Sequence, residues 1–191
     1  LRQVIDYVKK HAGDKVDFQI EVKTNPTKPK WTYSPEVMAR ALAKIRKQEG
    51  VIDRTEVQAL DWRVLQALQK INPNIKTAYL TDVNQYILMH SKNPKEAGLW
   101  TAGYILKNYQ NSVPAMIAKL GGKVWGPQAS ILTSKMMKQA RALGLKVVPW
   151  TWKKQPGDMT PVLIKLISMH PDGIITDRPD ILKGLLAARN K

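Results

Sequence analysis

Residues 18–23, Phe18-Gln19-Ile20-Glu21-Val22-Lys23, alternate apolar and polar positions with a period of two, the pattern of a half-buried β-strand. Phe18, Ile20 and Val22 face one way; Gln19, Glu21 and Lys23 face the other. Glu21 and Lys23 then stand roughly 7 Å apart along one strand face and look into the same space. Upstream, Val4, Ile5 and Val8 recur at helical spacing within residues 1–11. Lys9, Lys10 and His11 fall where a last helical turn favours cations, and Gly13 stops the helix.

The rest of the chain repeats strand, loop and helix. Residues 24–33 carry two prolines and no periodicity, which makes a loop straight after the first strand. Ser34-Pro35-Glu36 opens a helix through Val37, Leu42 and Ile45 that ends at Gly50. Residues 55–60 form a strand, Asp61 caps a helix over 62–71, and residues 76–81 form the next strand. The connection over 82–111 is long and weakly periodic, so it is either functional or holds short elements of its own. A helix opening at Ser112-Val113-Pro114 runs to Leu120, ahead of a short strand over 123–126. Thr133 caps a helix over 134–143, followed by a strand over 146–151. Gly157-Asp158 leads into a helix over 159–169; a strand over 173–176 and a helix from Pro179 to about Ala188 finish the chain. Six such units without a hairpin signal predict parallel strands with crossover helices, in a doubly wound sheet or a (β/α)8 barrel. Glu21, Lys23, Gln58, Asp61, Trp150 and Asp177 all fall near strand C-terminal ends, the edge that carries sites in both folds.

Composition narrows the chemistry. The 191 residues suit a single domain with a substantial core. No apolar run of membrane-spanning length occurs. The absence of cysteine excludes disulfides, thiolate nucleophiles and Cys-based zinc sites. A net charge of +16 favours anionic partners, but the lysines and arginines are scattered among different segments. Most read as solvated helix faces, so a nucleic-acid partner is disfavoured. Neither a dinucleotide fingerprint nor a P-loop follows any strand.

Several stretches, in order, resemble the glycerophosphodiester phosphodiesterases: FQIEVKTNP, TEVQALDWRVLQAL, PNIKTAYLT, GGKVWGP, LGLKVVPWTWKKQPGDM and PDGIITDRPD. The resemblance runs from about Asp17 to the last helix. It implies an α/β fold of the (β/α)8 TIM-barrel type, here incomplete, with about six β/α units and the family's first two strands missing. It also implies hydrolysis of glycerophosphodiesters to glycerol 3-phosphate and an alcohol, with a bound divalent cation, Ca²⁺ or Mg²⁺. By this resemblance Glu21 is a metal ligand, Lys23 meets the substrate phosphate, and Trp150 and Gln58 belong to the substrate pocket. Relatives with this loop-rich pattern are often exported, which favours a periplasmic or secreted location.

The family's His-Arg-Gly strand, its Glu- and Asp-bearing second strand and its second catalytic histidine have no counterpart in this sequence. His11, His90 and His170 do not replace them, and no catalytic residue is assigned. Ala59-Leu60, Trp152-Lys153 and the tract 126–130 also depart from the family pattern. Two functions therefore stand side by side: the family's hydrolase activity, and a degenerate or truncated barrel that binds anions or a partner without turnover. A barrel short of two strands exposes parallel edges, which invite self-association.

Overall fold

The computed structural model describes residues 1–151 and 159–189. Five parallel strands form one open sheet in the order β1-β2-β3-β4-β5: β1 (Phe18–Glu21), β2 (Thr55–Ala59), β3 (Lys76–Thr81), β4 (Val124–Pro127) and β5 (Lys146–Val147). Every neighbour in space is the next strand in sequence, with pairings such as Ile20↔Val57 and Tyr79↔Trp125. Helices α1 (Arg2–Ala12), α2 (Pro35–Gln48), α3 (Trp62–Ile71), α4 (Val83–Met89), α5 (Pro94–Ala97), α6 (Val113–Lys119), α7 (Ser134–Ala142), α8 (Thr160–Ser168) and α9 (Pro179–Arg189) make the crossovers and covering layer.

The sequence sets these ends locally. Ser34, Asp61 and Thr133 cap α2, α3 and α7, each accepting a backbone N–H two or three residues on. The expected strand over 173–176 is reduced to a single bridge, Trp150↔Ile175, and the strand expected over 146–151 to a two-residue ladder plus the bridge Gln128↔Trp150. Proline is the cause. Pro127 and Pro149 have no N–H to return across the ladder. The bonds that need none survive: Trp150 N–H to Pro127 O at 3.0 Å and Ile175 N–H to Pro149 O at 2.9 Å. The chain direction of a barrel is thus kept through the sixth unit. The long connection contains α4, α5 and a 3₁₀ turn over Leu106–Tyr109. The Gly157-Asp158 lead and the Trp152-Lys153 departure lie outside the described residues.

The core lies between the sheet and the helices. Val57, Tyr79, Trp125 and Val147 on the outer strand face meet Trp62, Leu65, Leu68, Met116 and Ile117. The buried indoles are satisfied by strand ends. Trp62 donates to the Leu80 carbonyl at 2.9 Å, and Trp125 to the Thr81 hydroxyl at 2.6 Å. Arg46 is buried on α2, where it donates to the Ile52 carbonyl at 2.7 Å. Burial holds its guanidinium below the usual arginine range, with Asp53 opposing that shift. No helix among the described residues is long and apolar enough to cross a membrane.

Candidate active site

The side chains on the other strand face, at a period of two, converge past the C-terminal ends of the strands. Glu21 and Lys23 come from β1 and its extension, and Gln58 and Leu60 from β2 and its extension. Leu80 and Asp82 follow from β3, Gln128 from beyond β4, Trp150 from beyond β5, and Ile175 and Asp177 from the sixth unit. They line a cleft of about 450 Å³, within the range that holds a small organic ligand. The four expected site residues, Glu21, Lys23, Gln58 and Trp150, therefore face one space.

Glu21 pairs with Lys23 at 3.2 Å. The carboxylate is 27% exposed and the ammonium 80%, so the lysine head projects into solvent at the mouth while the glutamate sits deeper. Gln58 lies beside Glu21 in register on the neighbouring strand. Its amide oxygen is buried and has no hydrogen-bond partner among the described residues, an arrangement that costs about 1–3 kcal/mol unless a ligand or solvent satisfies it. One layer toward the strand N-terminal ends, the Gln19 amide donates to Glu56 at 2.8 Å, linking β1 to β2 beneath the pair. The half-buried Trp150 donates its indole N–H to the Gly126 carbonyl at 3.0 Å, which fixes the ring plane against the cleft wall. Gln128 accepts the Val83 amide at 3.0 Å and so joins the start of α4 to the cleft.

The cleft runs against the charge of the chain. Among the described residues of the lining, Glu21, Asp82 and Asp177 oppose the ammonium of Lys23, an acidic set in a protein of net +16. Oxygen donors suit a hard cation, and Glu21 with the free Gln58 oxygen are the donors that adjacent strands place side by side. Among the described residues no group of three His, Asp or Glu side chains could hold a metal ion. A cation here would draw its remaining ligands from solvent and substrate.

Asp61, though near a strand end, serves structure. It is fully buried, caps α3, accepts the Thr24 hydroxyl at 2.7 Å and pairs with Arg63 at 2.7 Å. That hydrogen bond and charge hold the Arg63 guanidinium above its usual range. All three histidines are exposed. None lines the cleft: His11 ends α1, the His90 ring contacts the Tyr86 carbonyl at 2.8 Å, and His170 follows α8 beside Arg189. Asp82, Asn84 and Gln128 were not anticipated. For Asp82 and Gln128 the signal is the period-two face carried one residue past β3 and β4, whereas Asn84 reaches the cleft from the first turn of α4.

The chain belongs to the glycerophosphoryl diester phosphodiesterase family, whose model matches residues 1–181. Solved structures agree on the fold. A protein assigned as a glycerophosphoryl diester phosphodiesterase from Silicibacter pomeroyi superposes with a TM-score of 0.75 at 21% identity, over 100% of this chain and 56% of the other. A glycerophosphodiester phosphodiesterase from Parabacteroides distasonis gives 0.67 at 17% identity, over 100% of this chain and 64% of the other. An Oleispira antarctica phosphodiesterase in complex with the product sn-glycerol-3-phosphate gives 0.66 at 14% identity, over 98% and 60%. These relatives are of the TIM-barrel type, and the chain spans roughly three-fifths of their length. A comparison with curated proteins finds no match.

Proposed function

We propose that the cleft serves the hydrolysis of glycerophosphodiesters to glycerol 3-phosphate and an alcohol, with Ca²⁺ or Mg²⁺ as cofactor. The observation that carries this is the meeting of Glu21, Lys23, Gln58 and Trp150 in one acidic cleft at the strand ends of a family member. Glu21 and the Gln58 amide oxygen would hold the cation. When bound, it polarises the phosphoryl group as a Lewis acid. Lys23, freed from Glu21, neutralises a phosphate oxygen, an electrostatic role worth roughly two to three orders of magnitude in turnover. Trp150 orients the organic part of the diester against its fixed ring.

A second reading has an observation of its own. No histidine lines the cleft, so the described residues offer only carboxylates and the Lys23 ammonium for proton transfer. The chain would then bind the diester or its product without turning it over.

One experiment separates the two. The 191-residue chain is given glycerophosphocholine with Ca²⁺, Mg²⁺ or EDTA, and released glycerol 3-phosphate is measured alongside calorimetric binding of the same compound. Metal-dependent release that Glu21→Ala lowers at least about a hundredfold supports hydrolysis. Binding without release, unchanged by EDTA and by Glu21→Ala, favours the non-catalytic alternative.

A further inference from the structure

The loop between β1 and α2 presents aromatic side chains that the fold leaves uncovered. Trp31 is 71% exposed and Tyr33 74%, against a core in which Trp62 and Trp125 are fully buried. This exposure is built. Lys28 N–H donates to Asn25 O at 3.2 Å, Trp31 N–H to Lys28 O at 3.0 Å, and Thr27 N–H to the Asn25 side chain at 2.9 Å. Pro26 and Pro29 restrict the backbone between them. At the loop's base, Thr24 is tied to buried Asp61. The rings are therefore held outward on an ordered loop, where burying them against the chain's own core would have stabilised the fold.

The loop itself carries only basic charge; the nearest acids along the chain are Glu21, paired with Lys23, and Glu36 in the first turn of α2. Residues 22–34 contain Lys23, Lys28 and Lys30 and no acid, and the Lys28 ammonium sits 3.8 Å from the centre of the Trp31 ring. The loop leaves β1 at its C-terminal end, the end of the sheet at which the cleft opens. The α4 helix leaves β3 at the same end. It carries no charge, and Val83 and Ile87, one turn apart, are 40% and 64% exposed. Trp and Tyr with flanking lysines and nearby aliphatic side chains are the composition of a membrane interface. Bases stacking on a single-stranded nucleic acid site would use the rings and lysines but have no use for Ile87.

We propose that this rim, centred on Trp31 and Tyr33, is a docking surface for an anionic phospholipid bilayer, which it meets with the cleft mouth facing the headgroups. The rings and Ile87 enter the headgroup–acyl boundary, and Lys28 and Lys30 meet lipid phosphates. The inference does not depend on whether the cleft hydrolyses its ligand.

The test is co-sedimentation of the full 191-residue chain with phosphatidylcholine vesicles, with and without phosphatidylserine. The chain is expected to bind the mixed vesicles, with binding falling as salt is raised. Trp31→Ala/Tyr33→Ala is expected to weaken that binding at least roughly tenfold, and Ile87→Ser to weaken it further. Circular dichroism and glycerol 3-phosphate binding should be unchanged, because none of the three residues lines the cleft. Failure of hydrolysis with intact vesicle binding would count against the catalytic proposal alone. Four outcomes overturn the docking surface: no vesicle binding; binding indifferent to the double substitution; an oligonucleotide, not vesicles, as the ligand lost in that variant; or a concentration-dependent dimer that the same substitutions abolish.

Discussion

Replacing Asp61 with alanine is expected to destabilise the fold by about 2–4 kcal/mol, although Asp61 lies outside the cleft. The magnitude follows from what its two oxygens do. The Arg63 backbone N–H at 3.2 Å is the cap of α3, and losing a cap of this kind costs about 1 kcal/mol. The Thr24 hydroxyl, in a residue only 7% exposed, donates to Asp61 at 2.7 Å; left without a partner it costs about 1–3 kcal/mol. The Arg63 ion pair adds little, because that side chain is 37% exposed and water screens it. For a chain of this size 1 kcal/mol corresponds to about 2–4 °C in Tm, so thermal denaturation should show a drop on the order of 10 °C. Asp61→Asn separates the terms. Asparagine caps as well as aspartate and can still accept from Thr24, so its cost should stay near or below about 1 kcal/mol. A double-mutant cycle with Thr24→Val should return a coupling of about 1 kcal/mol or more. If Asp61→Ala unfolds within about 0.5 kcal/mol of the parent, or the two Asp61 variants match, the accounting of cap and buried hydroxyl is wrong.

Tyr79 tests the electrostatics of the core. Burial pushes its phenol up to about 12, only partly offset by hydrogen bonds with Gln66 and Gln69. The folded value lies above the unfolded one of about 10, so its contribution is complete below pH 10 and lost as pH rises from there toward 12. Alkaline denaturation followed by tyrosine absorbance should show this limb, and Tyr79→Phe should flatten it. Gly122→Ala should cost about 1–3 kcal/mol in urea denaturation, because a Cβ there would come within 2.5 Å of Ile117 and 2.8 Å of the Tyr79 ring; a neutral result would mean that this corner repacks freely.

Much of this architecture could be read from the chain before it was folded. The alternation in residues 18–23 identified both the strand and the face bearing Glu21 and Lys23, because a period of two admits only one division of side chains. Caps at Ser34, Asp61 and Thr133 fixed helix starts for an equally local reason. The long connection resisted reading because α4 and α5 span seven and four residues, too few for a helical period to repeat. The strands around Trp150 were read as longer than they are, since apolar residues continue through Pro149 while its hydrogen bonding does not. Buried Arg46 gave no sign of itself among the solvated cations of α2. Its partners are carbonyls of the following turn, and a backbone acceptor leaves no mark in the sequence. The cleft residues Asp82 and Gln128 stand one position beyond β3 and β4, and Asn84 belongs to the short helix α4, which has no periodicity to announce it.

The strict β1-β2-β3-β4-β5 order bears on how the molecule comes into being. Each strand after the first finds its neighbour one crossover back in the chain, as Val57 finds Ile20 and Trp125 finds Tyr79. Among the described strands, none pairs with a partner more than one crossover away. A polypeptide emerging from the ribosome can lay down one unit against the last, so over these five strands the sheet widens in the direction of synthesis. Hydrogen-exchange labelling of ribosome-held chains of increasing length should show protection advancing from β1–β2 to β4–β5, with each arrest point leaving a narrower version of the same sheet.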